Sequence, residues 1–171
     1  MASKLRVDSI LPVDGAPTDG GGGIIQVVQT IKKDQFTTSN NTSNYTDLTG
    51  LSAAITPKFN TSKILVKSVI YNSNANAVNF FRVLRGSTFI EQPSGTSSSG
   101  ANWNAHAFAY YNADNWQDST AIEILDSPAT TSATTYKIQM AVTSNTGTIN
   151  KFYNTSNYYG ISTIQLYEVS A

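Results

Sequence analysis

The amino-acid sequence predicts an all-β protein built as one antiparallel β-sandwich of about nine strands, and three observations carry that prediction. Ser, Thr and Asn supply 20, 21 and 16 of the 171 residues, so a third of the chain is short, neutral and polar. Ser and Asn compete with helical hydrogen bonds, whereas Thr suits a pleated surface. No stretch repeats apolar residues at i, i+3, i+4 and i+7 for long enough to make an amphipathic helix. Finally, β-branched and aromatic runs of strand length recur along the chain, separated by Gly, Asn, Ser and Pro.

The chain opens on a composition break. Five of its eleven glycines and two of its five prolines lie between Pro12 and Gly23. Glycine leaves the backbone free and proline removes a donor, so no regular element is expected there. Residues 1–10 read as a short extended segment and 11–23 as a flexible tether, reaching roughly 20 Å if it behaves as a Gly-rich coil. Residues 24–171 form the sandwich.

Each strand has its own signature. IIQVVQTI (24–31) is β-branched and closes into polar turn material at Asp34–Asn44. YTDLTGLSAAIT (45–56) and KILVKSVIY (63–71) follow. In the latter, Ile64, Val66, Ser68 and Ile70 share one face and Leu65, Lys67, Val69 and Tyr71 the other. Both faces are partly apolar, which predicts a strand covered on two sides. VNFFRVLRGSTFI (78–90) folds back at Leu84-Arg85-Gly86-Ser87, a tight hairpin in which Gly supplies positive φ. Beyond PSGTSSSG (93–100) come WNAHAFAYY (103–111), STAIEIL (119–125), TYKIQMAVT (135–143), TINKFY (148–153) and STIQLYEV (162–169). TYKIQMAVT splits cleanly, with Tyr136, Ile138, Met140 and Val142 on one face and Lys137, Gln139, Ala141 and Thr143 on the other. In STIQLYEV, Glu168 falls on the face of Ile164 and Leu166, which leaves its sidedness open.

Charge and chemistry exclude several functions. Eleven basic residues balance eleven acidic ones, and only 13 % of the chain is charged, so no field favours a nucleic-acid backbone. No run approaches the ~18 apolar residues of a membrane helix, and no membrane insertion is expected. With no cysteine there is neither a disulfide framework nor thiol chemistry. His106 is the one imidazole, and no G-x-S-x-G turn accompanies it, so a nucleophilic triad or a multi-histidine zinc site has no basis. Asp114, Asp118, Glu123 and Asp126 miss calcium-loop spacing. No catalysis, metal or cofactor is expected.

Two surfaces remain. On WNAHAFAYY, Ala105, Ala107 and Ala109 line one face and let a second layer approach, while His106, Phe108 and Tyr110 line the other. Aromatic residues concentrate at the centres of protein interfaces, so that second face is expected to meet another subunit. Trp116, Tyr153, Tyr158 and Tyr159 sit in Asn- and Ser-rich loops, a composition suited to binding a glycan or protein or to capping the sandwich ends.

The opening SKLRVDSILPVDG resembles the short N-terminal segment [ST]-x-L-[KR]-V-D-[ST]-I of many tailed-phage fibre and appendage proteins, matched here by Leu5, Arg6, Val7, Asp8, Ser9 and Ile10. The following GGGGIIQVVQT, TDLTGLSAAITP, FFRVLRGSTFI, ILDSPATTSATTYKIQ and STIQLYEVSA are similar in kind and order to small virion proteins of marine phages, cyanophages especially. The resemblance implies virion localisation, an N-terminus anchored to other virion proteins through Leu5, Arg6, Val7, Asp8 and Ile10, and a head facing outward. Residues 24–171 also resemble the tumour-necrosis-factor-like jelly roll, which implies a homotrimer. Two functions follow as expectations: a fibre head that contacts the host surface, or a capsid decoration protein or head fibre with no specific ligand.

Overall fold

A computed structural model describes residues 23–95, 104–112, 116–152 and 157–170. The anchoring residues Leu5, Arg6, Val7, Asp8 and Ile10, the tether to residue 22, and Tyr153 lie outside the described residues. Within them the chain is all β: β1 (Ile24–Lys32), β2 (Phe36–Thr38), β3 (Thr46–Ile55), β4 (Lys63–Ser73), β5 (Ala77–Arg85), β6 (Thr88–Phe89), β7 (Ala107–Tyr111), β8 (Gln117–Asp126), β9 (Thr134–Val142), β10 (Gly147–Ile149) and β11 (Ser162–Val169).

Two antiparallel sheets form the sandwich. In the first, β4 pairs with β8 along one edge and with β11 and then β10 along the other, and β1 extends the sheet beyond β11. In the second, β5 lies between β9 and the shorter β7 and β6, with β3 beyond β9. The core between them holds Ile64, Val66 and Ile70 of β4, Phe81 and Val83 of β5, Tyr136, Ile138 and Met140 of β9, and Ile164 and Leu166 of β11. Each such side chain stabilises the fold by about 1.5–3 kcal/mol through removal from water.

Local sequence explains the details. Gly86 has φ +59°, and Arg85 pairs with Thr88 across Gly86 and Ser87. Positive φ at the first of two loop residues is the pattern of a type II′ hairpin turn, as the sequence predicts. In β3 the ladder to β9 jumps from Asp47 to Ser52, and Gly50 takes φ +82° in that bulge. The bulge resets the alternation, so Leu48 and Leu51 both reach the core despite their odd spacing. It also leaves room for Lys32, whose Nζ lies 3.4 Å from where a Gly50 Cβ would stand. Lys32 is buried with its ammonium included, and its Nζ donates to exposed Asp34 at 2.8 Å.

Three expectations change. The polar stretch 34–44 contains β2, which pairs with β10, because Thr37 and Thr38 tolerate an edge position. The strand expected over 148–153 stops at Ile149, since Asn150 turns to φ +60° and spends its amide on the Lys32 and Asp34 carbonyls. The face of β4 bearing Leu65, Lys67, Val69 and Tyr71 carries no second layer among the described residues: Val69 is exposed and its three companions are partly exposed. Apolar residues on both sides of β4 therefore do not mean two protein layers among the described residues.

The two ends of the sandwich are polar inside. At one end Glu168, fully buried, accepts a hydrogen bond from the Lys58 backbone N–H at 2.6 Å, which resolves its ambiguous face as inward. Nearby, Asp126 of β8 accepts from Arg85 of β5 and Tyr136 of β9, joining the sheets. At the other end Asn72, Asn74, Asn79 and Asn150 are all completely buried.

Candidate functional site

The two ends of the sandwich are not equivalent on the outside either. Ile24 opposes Val169, and the Ser170 N–H donates to the Gly23 carbonyl at 2.9 Å, so β1 begins beside the end of β11. Tyr158 and Tyr159 precede the start of β11, and Trp116 precedes β8, whose first residue Gln117 opposes Ser73 at the far end of β4. The eight residues of β11 separate these features by about 26 Å at ~3.3 Å per residue.

The far end is braced rather than loose. Tyr71 donates through its hydroxyl to Gln117 Oε1 at 2.6 Å, linking the β4 terminus to the residue after Trp116. Its ring lies so close over Gly160 that a Cβ there would overlap it. Phe152 stacks edge-on against Tyr158 at 5.9 Å, and the Phe152 N–H donates to the Tyr158 carbonyl. Trp116, Tyr158 and Tyr159 are thereby placed at one end of the molecule, each 58–62 % exposed.

His106 is held by hydrogen bonds of its own. Its Nδ1 accepts from the Val83 N–H at 2.9 Å, its Nε2 lies 2.8 Å from the Ile90 carbonyl, and its ring meets the edge of Phe89. These partners assign the neutral tautomer with the proton on Nε2. Burial holds the imidazole below its ordinary value, against the opposing pull of the Ile90 carbonyl. As pH falls below about 6.5, the unfolded chain takes up the proton first, so stability present above that value is lost on acidification. Thermal unfolding followed against pH should therefore show a steeper acid slope for the wild type than for His106→Gln. Equal slopes would overturn this assignment.

Phe108 and Tyr110 project from β7 and are about 70 % exposed, at 68 % and 70 %. Their register partners on β5 are Phe80 and Val78, and the four line a shallow apolar cavity of about 400 Å³. Ala109 and Tyr111 on the opposite face are buried, as the alanine-lined strip predicts. Beside this patch, the Arg82 guanidinium lies 3.9 Å from the Tyr45 ring centre, and its Nε donates to Gln139 at 2.8 Å. Burial lowers the Arg82 pKa, and desolvation pushes the Tyr45 phenol up to about 12. This stacked cation is a cross-strand feature that no linear motif announces.

The outer face of the other sheet is banded. Register places Val27, Tyr167, Leu65 and Leu125 side by side across its four main strands. The next outward row is Gln29, Gln165, Lys67 and Glu123, in which Lys67 and Glu123 form a 3.0 Å ion pair. The third is Ile31, Thr163, Val69 and Ala121. Two apolar bands thus flank a polar one. Sequence alternation identifies each strand's outward residues, but only the register aligns them into bands.

Among the described residues no three His, Cys, Asp or Glu side chains converge as a metal site. No protein-family model matches the chain, and no curated protein matches it. Solved structures similar to it include the structure of infectious bursal disease virus Gx strain, at 14 % identity and a TM-score of 0.41, covering 98 % of this chain and 43 % of that one. A second is the crystal structure of the infectious bursal disease virus VP2 subviral particle, at 12 % identity and a TM-score of 0.39, covering 100 % of this chain and 42 % of that one. The chain spans less than half the length of these structures' chains.

Proposed function

We propose that the chain is a phage virion structural protein, a homotrimeric fibre or appendage head of jelly-roll type whose far end contacts the host surface. The observation that carries this reading is the axial separation of entry and display. Gly23 enters at one end of β1 and β11, while Trp116, Tyr158 and Tyr159 stand exposed at the other. A tethered head has to present its contact surface away from its attachment, and this chain's topology does so. The phage-like segment at Leu5–Ile10 supports attachment through the N-terminus. The sheet order supports the jelly roll: β1-β11-β4-β8 faces β3-β9-β5-β7, so hydrogen-bonded neighbours are mostly distant in sequence. Rigid rings beside Asn and Ser suit a glycan or protein on the host, and several copies would multiply a weak single contact.

Removing residues 1–23 is expected to abolish incorporation into particles while the head still folds. Combining Trp116→Ala, Tyr158→Ala and Tyr159→Ala is expected to leave incorporation intact but weaken competition with phage adsorption at least about tenfold. Undiminished competition by the triple variant would refute the display role. Wild-type head that neither coats cells nor competes would favour the decoration reading, which a count of tens to hundreds of copies per particle would support.

A further inference from the structure

We infer that the banded outer face of the β1-β11-β4-β8 sheet is covered by a second copy of this chain, and that this face, rather than Phe108 and Tyr110 on β7, is the subunit interface. The first ground is a partition of the exposed apolar side chains. Every large aliphatic one among the described residues belongs to this sheet: Val27, Ile31, Val69 and Leu125 on its outer face, with Ile24 and Ile161 at its strand ends. They are 46–58 % exposed. The exposed aromatic residues among those described lie elsewhere, on β7 or at the display end. Aliphatic side chains offer no hydrogen bond to a polar ligand and are stabilised only by exclusion of water, which a second apolar surface supplies.

The second ground is charge. The only ionic groups in the central band are Lys67 and Glu123, of opposite sign and on adjacent strands, their side chains 43 % and 60 % exposed. A face carrying one charge of each sign is complementary to itself. A twofold axis running along the strands between β4 and β8, which pairs two copies and so replaces the threefold contact of the trimer proposed above, sets β4 of one copy over β8 of the other. Lys67 then meets Glu123 of the other copy, Leu65 meets Leu125, and Val69 meets Ala121, so every band stacks on its own kind. The same axis keeps Gly23 of both copies at one end and both sets of Trp116, Tyr158 and Tyr159 at the other. The inference stands on the face alone and does not require the host-contact role.

Four strands at ~4.8 Å spacing and eight residues at ~3.3 Å make a plane of about 19 by 26 Å, or roughly 500 Å² before side-chain relief. That is smaller than the ~800 Å² per partner of a standard interface, so association should depend on concentration in the micromolar range. Sedimentation of the full chain across that range is expected to show dimers, and Val69→Glu with Leu125→Glu to reduce them to monomers with unchanged far-ultraviolet dichroism. Lys67→Glu alone should weaken association at least about tenfold, and adding Glu123→Lys should restore it. Wild-type chain that stays monomeric at the top of the range would overturn the inference. So would oligomers that survive Val69→Glu/Leu125→Glu but dissociate with Phe108→Asp/Tyr110→Asp, which would return the interface to β7. If the sheet-face variant loses its dichroism, the Lys67/Glu123 pair decides: no weakening on Lys67→Glu, or no restoration by the double swap, counts against it.

Discussion

Replacing Asn72 by alanine is expected to lower the free energy of unfolding by about 3–5 kcal/mol, one of the largest single-residue losses in this fold. Asn72 is fully buried and its amide is in use at both atoms. Its Nδ2 donates to Thr120 Oγ1 and the Ile70 carbonyl, each at 3.0 Å. Its Oδ1 accepts from Asn79 Nδ2 at 3.0 Å and from the Tyr111 hydroxyl at 2.7 Å. Asn79 in turn accepts from Asn74 Nδ2 at 2.7 Å. Truncating the hub strands several of these groups away from water, each costing about 1–3 kcal/mol, and shape alone cannot repair it. Asn72→Asp tests that point, because it keeps the shape but loses the donors and introduces a buried charge. It should be at least as damaging near neutral pH. Asn72→Ala and Asn79→Ala together should cost less than the sum of the two by about 1 kcal/mol or more. Chemical unfolding measures all of these, and a loss below about 1 kcal/mol for Asn72→Ala would show that water replaces the amide at little cost.

The second large effect is expected at the opposite end. Asp126→Ala should destabilise by about 3 kcal/mol, near the lower limit for breaking a buried ion pair. Asp126 is buried and accepts from Arg85 Nη1 at 2.7–2.8 Å and from the Tyr136 hydroxyl at 2.6 Å. Desolvation together with the neighbouring Asp126 carboxylate raises the Tyr136 pKa, so the phenol stays protonated and donates. Without the carboxylate, Tyr136 keeps a buried hydroxyl with no charge partner, whereas Arg85 is about a third exposed (31 %) and turns partly to water. That asymmetry sets the estimate at the low end. Tyr136→Phe alone should cost only about 1 kcal/mol. If thermal unfolding shows Asp126→Ala no worse than Tyr136→Phe, the cross-sheet pair contributes nothing and the apolar core alone joins the sheets there.

Asn72 sits where the sequence was least informative. The segment YNSNANAVN, between two apolar runs, has the composition of a turn, since Asn tolerates positive φ and bonds its own backbone. Asn76 does take φ +44° and is exposed, yet Asn72, Asn74 and Asn79 on either side are completely buried. The reversal from β4 to β5 folds inside the end of the sandwich, and β7 and β8 bring Tyr111 and Thr120 to meet it. Those partners are some 40 residues distant, so no local pattern could reveal that the amides would be satisfied there. Composition read Asn as surface, and tertiary pairing made it core.

What the chain determined by itself was the element type and most of the inward faces. Period-two alternation, β-branched runs and Gly-bearing turns act over a few residues and so are written locally. The hairpin at Gly86, the buried set Tyr136, Ile138, Met140 and Val142, and the inward alanine face of β7 all follow from spacing. Tertiary structure decided whatever depends on register between distant strands. It aligned Val27, Leu65 and Leu125 into one apolar band, although no single strand's alternation relates them to one another. It also gave His106 the Val83 N–H and the Ile90 carbonyl as partners, which alternation along its own strand could not name. The physical reason is common to all of these: a strand's own residues fix which way its side chains point, while hydrogen-bonded pairing with other strands fixes what lies beside them.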